Sequence, residues 1–149
     1  MDTLRKFLSG TIHTVPENSM VQDVIDKFNS EKTTACLIEK DGKYIGIITR
    51  EDIISKIIGK KDPKSTRTDD VMSSPIYTVD IGMSKSDACI KISEQKRQHL
   101  VVEENGRIMG IVSVRDLVPK DLTSASLTGV ELFHKVRKYG DQLLKDEKA

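Results

Sequence analysis

The chain has 149 residues, of which 37% are hydrophobic and 32% charged, with a formal net charge of +1 and a sequence pI of about 7.7. That length suits one compact domain or two small units, the apolar content suits a packed core rather than disorder, and the balanced charge supplies no field to draw a polyanion. No stretch approaches the roughly 20 apolar residues that span a bilayer, and the opening MDTLRKFLSG lacks the hydrophobic run of a signal peptide, so a cytoplasmic location is expected.

Leu4-Arg5-Lys6-Phe7-Leu8 reads as a short helix. Ile12 to Val15 is β-branched and reads as a strand. Val21, Val24, Ile25 and Phe28 then recur at helical spacing, with Ser19 as the expected N-cap. Ala35 to Ile38 and Tyr44 to Thr49 flank Asp41-Gly42, the turn chemistry of a β-hairpin. Glu51 to Ile58 is a second helix, and residues 59–68, with Gly59 and Pro63 and no apolar period, form a connector. Asp69-Asp70-Val71-Met72 is a short helix leading to a strand from Ile76 to Val79, followed by a helix capped by Ser84 with Ala88, Cys89 and Ile92 on one face. Leu100 to Val102, Asn105-Gly106 and Ile108 to Ser113 make a second hairpin, and Arg115 to Val118 a last short helix. Beyond Pro119, the spacing of Leu127, Val130, Leu132, Phe133, Val136, Leu143 and Leu144 predicts one or two amphipathic helices interrupted by Gly140.

These elements are one unit written twice. Ile12-His13-Thr14-Val15 lies over Ile76-Tyr77-Thr78-Val79, and the same offset, without a gap, pairs Asp23 with Asp87, Gly42 with Gly106, Gly46-Ile47 with Gly110-Ile111, Thr49 with Ser113 and Asp52 with Asp116. Each copy is β-α-β-β-α, an α/β (α+β) unit too small to close its own core. The expected division is unit 1 over residues 4–58, connector 59–68, unit 2 over 69–119 and a helical extension over 120–149. Cys36 and Cys89 sit in apolar patterns and read as buried reduced thiols, and His13, His99 and His134 lie too far apart for a metal set, so no structural metal is expected.

Two runs carry a family resemblance: Asp70-Val71-Met72-Ser73-Ser74-Pro75-Ile76-Tyr77-Thr78-Val79 with Asn105-Gly106-Arg107-Ile108-Met109-Gly110-Ile111-Val112-Ser113-Val114-Arg115-Asp116-Leu117, and in the first copy Asp41-Gly42-Lys43-Tyr44-Ile45-Gly46-Ile47-Ile48-Thr49-Arg50-Glu51-Asp52-Ile53. They resemble the cystathionine-β-synthase (CBS) domain over roughly residues 4 to 119, with Phe7-Leu8-Ser9-Gly10 in place of the usual opening of the first copy. The resemblance implies a stand-alone tandem pair, two units about a pseudo-two-fold axis, whose clefts take adenosine ligands: AMP, ADP, ATP, S-adenosylmethionine or cyclic dinucleotides such as cyclic di-AMP. A homodimer through exposed helices, a separate effector protein, no membrane and no catalysis are implied with it.

The chemistry of the motif can be stated on its own terms. A carboxylate in the first turn of a helix, Asp52 or Asp116, can accept from both ribose hydroxyls, while Thr49 and Ser113 at the strand ends can donate to a phosphate beside the helix N-terminus. By analogy with the family, Ile12, Thr14 and Val15, and Ile76, Thr78 and Val79, wall the base with Ala35 and His99 nearby, Gly46 and Gly110 admit close approach, and Arg115 reaches a phosphate. Glu51 replaces Arg115 in the first copy, so the two sites are expected to differ. Lys32, Lys96 and Arg97 are further phosphate candidates.

Bland readings stay open beside these. Each Asp can simply cap its helix, worth about 0.3–1 kcal/mol through the dipole, each glycine can serve packing, and His99 can be a partly buried bystander. A phosphotransfer enzyme finds no Walker loop and no base-activated nucleophile in this sequence. A nucleic-acid binder would have to use the basic connector and His134-Lys135-Val136-Arg137-Lys138, and a purely structural interaction module would use the scaffold and tail alone.

Overall fold

The computed structural model describes residues 2–8, 10–123 and 129–148. Its two compact units are Thr11–Tyr77, and Met1–Gly10 together with Thr78–Ala149. The units are thus not consecutive in the chain: the opening segment belongs with the second copy, and the segment before the second copy belongs with the first. Leu127, part of the tail pattern above, lies outside the described residues.

In the unit Thr11–Tyr77, strand β1 (Thr14–Pro16) leads through helix α1 (Val21–Glu31) to the hairpin β2 (Ala35–Lys40) and β3 (Lys43–Thr49), then helix α2 (Arg50–Asp52), which continues as π-helical turns over Ile53–Ile57. The sheet order is β1-β2-β3, parallel across β1–β2 and antiparallel across β2–β3. The parallel pair needs a crossover, and α1 provides it. In the other unit β4 (Thr78–Asp80), α3 (Lys85–Gln95), β5 (His99–Glu104), β6 (Arg107–Ser113) and α4 (Val114–Leu117) repeat the order β4-β5-β6 with equivalent register, including a bulge at Val102/Glu103 matching that at Ile38/Glu39. Asp41-Gly42 and Asn105-Gly106 have positive φ at both positions (51° and 78°; 52° and 79°), so both hairpins close with the primed turns their residues favour. The expected α/β repeat and its C-terminal helix are present.

Two local expectations are corrected, the Ser19 cap and the break at Gly140. Ser84 does cap α3, accepting from the Asp87 N–H at 3.1 Å, but Ser19 does not cap α1: its hydroxyl donates to the Pro16 carbonyl at 2.6 Å. Met20 holds the cap position, its N–H donating to Asp23 Oδ2 at 2.9 Å, which keeps the register of the repeat because Met20 and not Ser19 corresponds to Ser84. Residues 59–68, between the copies, pack on α1: Thr66 and Pro63 carbonyls accept from the N–H groups of Val21 and Gln22 at 2.8 and 2.9 Å, and Thr68 is fully buried. Finally, Gly140 does not interrupt the tail. A single helix α5 (Gly129–Lys148) runs through it, because Leu132, Val136 and Gly140 form the buried seam. A Cβ at Gly140 would come within 3.1 Å of Cys89 Cβ and Ile90 Cγ1, so the glycine sets the close approach of α5 to α3.

The core of Thr11–Tyr77 gathers Val15, Val21, Val24, Cys36, Ile38, Ile48, Ile53, Ile57 and Val71. Gly46 matters to it through what it leaves out: a Cβ there would lie 2.3 Å from Met72 Sδ and 2.8 Å from its Cγ. In the other unit Gly110 makes the same room for Leu8 Cδ2, at 3.0 Å. Lys85 extends its ammonium over the rings of Phe7 and Tyr139, each centroid 5.3 Å away, joining the opening segment and α5 to α3.

Gly46→Ala is expected to lower unfolding free energy by about 1–3 kcal/mol through overpacking, and Met72→Ala in the same chain should recover part of the loss, as read by urea denaturation. Burial pushes the Cys36 and Cys89 thiols up from 9.0 to about 11, outweighing the opposing pull of Lys27 and Lys85. Native thiols therefore keep their protons where unfolded ones lose them, so this contribution is complete below pH 9 and lost as pH rises toward about 11. Denaturation between pH 8 and 10.5 should show a smaller decline for the Cys36→Ala/Cys89→Ala chain than for the wild type.

Candidate functional site

The chemistry-bearing residues of each copy collect where the third strand passes into its short helix. Ala35 pairs with Thr49 and His99 with Ser113 across the hairpins, so these residues share one end of each sheet. At that end the chain turns into a helix whose first N–H is taken by the neighbouring loop: Arg50 donates to the Thr34 carbonyl and Val114 to that of Gln98, both at 2.9 Å. The third helical residue then folds its carboxylate back. Asp52 Oδ2 accepts from the Thr49 N–H at 2.9 Å and the Thr49 hydroxyl at 3.2 Å, and Asp116 Oδ2 accepts from the Ser113 N–H at 2.7 Å and its hydroxyl at 3.2 Å. The capping role weighed from sequence is therefore present in both copies. It occupies one oxygen of each carboxylate and leaves the other to be accounted for.

The other oxygen differs between the copies. Asp52 Oδ1 lies 3.2 Å from Lys56 Nζ, and the Asp52 side chain is 16% exposed. Asp116 is exposed, and its Oδ1 has no partner among the described residues. Arg115 beside it is exposed and engaged by no group among the described residues, whereas Glu51 at the matching place lies 3.4 Å from Arg50 Nε. Lys56 was not singled out from sequence, although its position four residues after Asp52 is the helical ion-pair spacing and could have been read.

Other expected site residues sit apart from this cluster or face inward. Val15 and Val79 are buried, at 5% and 6% exposure, and contribute to the cores. Thr14 and Thr78 pair with Leu37 and Val101, two positions along from Ala35 and His99, while Ile12 and Ile76 precede them and are half-buried. Gly46 and Gly110 are covered by Met72 and Leu8. Lys32 and Lys96 are exposed left-handed caps ending α1 and α3, with φ of 51°. No group of three or more His, Cys, Asp or Glu able to hold a metal ion occurs among the described residues, and no helix among them is long and apolar enough to cross a membrane.

Two successive copies of one β-α-β-β-α pattern, each with a capped Thr/Ser-x-x-Asp turn after its third strand, define a tandem repeat module. The CBS domain family model matches residues 4–59 and again 69–121, and the chain belongs to the CBS domain family. An uncharacterized protein of Methanopyrus kandleri is 36% identical over 83 residues, which are 54% of this chain but 41% of that protein, so the chain spans about two fifths of that relative. A solved CBS-domain protein of Burkholderia ambifaria aligns at 25% identity and a TM-score of 0.74 over 85% of this chain and 98% of its own. CBSX2, solved in complex with AMP, shares the fold at 22% identity and a TM-score of 0.65, over 83% of this chain and 98% of its own.

Asp52→Ala removes two accepted hydrogen bonds and a half-screened ion pair, and is expected to cost about 1–2 kcal/mol; Asp116→Ala removes only the two bonds, at about 0.5–1 kcal/mol. Parallel urea titrations of the two variants check the order.

Proposed function

We propose that the chain is a non-enzymatic sensor of an adenosine-containing ligand, in the class of AMP, ADP, ATP or a related adenosyl compound, that signals to a separate protein. The observation that carries this reading is the open Oδ1 of Asp116, held by the Ser113 cap beside an exposed Arg115. A fixed carboxylate with a free oxygen accepts from the two hydroxyls of a ribose, and an exposed guanidinium one residue away suits a phosphate on the same molecule. The AMP bound to a protein of the same fold supports the choice of ligand class.

Sensing follows from linkage. A ligand that contacts one arrangement of the chain better than another shifts the population by its difference in affinity, and a partner that reads the arrangement responds. Ile54 and Ile58, 57% and 65% exposed and four residues apart, give an apolar surface for self-association into a homodimer. The protein works in the cytoplasm in this reading.

Isothermal titration with AMP, ADP, ATP, S-adenosylmethionine and cyclic di-AMP, with and without Mg²⁺, is the test. Saturable binding of one of them is expected, weakened at least tenfold by Asp116→Ala while the thermal melt stays cooperative. Silence from all five with a folded protein would leave a structural interaction module instead.

A further inference from the structure

The two copies carry the same carboxylate and the same lysine four residues later, Asp52 with Lys56 and Asp116 with Lys120, yet only the first pair forms. The cause is one residue between them. In the first copy Ser55 lets the chain continue helically past Asp52: the Ile58 N–H bonds the Ile53 carbonyl at 3.0 Å, and Ser55 itself donates to the Glu51 carbonyl at 2.8 Å. Lys56 therefore lies one turn beyond Asp52, and its ammonium also donates to the Val71 carbonyl at 3.0 Å, which fixes it there. In the second copy Pro119 occupies the place of Ser55. A residue before proline is driven out of the helical region, and Val118 is extended, with φ −113° and ψ 157°. Helix α4 ends at Leu117, Lys120 enters a separate 3-10 turn (Lys120–Thr123), and its side chain meets no carboxylate among the described residues.

The consequence can be counted in lone pairs. A carboxylate offers about four acceptor positions, two on each oxygen. Both on Oδ2 are used in each copy, by the N–H and hydroxyl of Thr49 or Ser113. On Oδ1, Asp116 has both left, which matches the two hydroxyl donors of a ribose diol. Asp52 has one left, with a fixed ammonium against the same atom. We infer that Lys56 closes the Asp52 site to ribose and that Pro119 keeps the Asp116 site open, so that the chain binds one nucleotide, not two. This rests on the nucleotide reading above and assigns that reading to one of its two sites.

The experiment is titration with AMP and with ATP of four chains whose folding is verified by thermal melting: wild type, Asp116→Asn, Lys56→Met and Lys56→Met/Asp116→Asn. The expected stoichiometries per chain are one, none, two and one. Two sites in the wild type, a single site that survives Asp116→Asn, or a Lys56→Met chain that binds one nucleotide or fewer would each overturn the inference while leaving nucleotide binding in place. Absence of heat and of competition in all four chains would overturn the nucleotide reading itself and this assignment with it.

Discussion

Everything else in the molecule depends on how a three-stranded sheet is closed. A β-α-β-β-α unit leaves one sheet face open over its third strand, and here that face is sealed by a side chain from a short segment seated over a glycine: Met72 over Gly46, Leu8 over Gly110. A Cβ at Gly46 would force the Met72 side chain to move, and one at Gly110 would press on Leu8 Cδ2, so these glycines serve packing and not backbone freedom. In the second unit the sealing segment is the start of the chain. Leu4 is fully buried there, its N–H bonded to the Met83 carbonyl at 2.9 Å, and Arg5 pairs with Glu104. The first copy is thus an insertion between residues 10 and 78 of the second unit, and that unit completes its core only when both ends of the chain have returned to it.

Much of this was legible in sequence because it is local. Asp41-Gly42 and Asn105-Gly106 dictate primed turns through positive φ, Ser84 caps the helix it precedes, and β-branched runs occupy the strands. What was not legible depends on partners distant in the chain. Nothing near Gly46 names Met72, and nothing near Gly140 names Cys89, so one glycine reads as an approach for ligand and the other as a helix break. Ser19 looks like a cap by residue type, but the repeat register assigns that place to Met20, where the Asp23 carboxylate accepts from the Met20 N–H instead of a cap hydroxyl accepting from the third helical N–H. The Thr/Ser-x-x-Asp turn itself was readable, since an N-cap and its third residue lie within one turn. The spacing of Lys56 from Asp52 was readable too, but Lys120 stands at the same spacing from Asp116, and the two copies part only where Val118 leaves the helix before Pro119.

Divergence between the copies has a second, independent expression in their crossover helices. Where α3 meets α5, Gly140 faces Cys89, Ile90 and the Ser86 carbonyl, and the buried Ser86 hydroxyl approaches both Glu147 carboxylate oxygens at 3.3 Å. The corresponding positions of α1 are Gln22, Ile25 and Asp26. An isoleucine at the place of Cys89 would fill the space in which Gly140 now comes close, and gap-free interiors do not absorb two extra carbon branches without moving a backbone. The close approach of α5 thus suits Cys89 on α3 and not the Ile25 that stands at that place on α1. The same copy that keeps its carboxylate free is the one that carries the extension. Its site lies at the end of β6 and its extension against α3, both in one compact unit with a shared core.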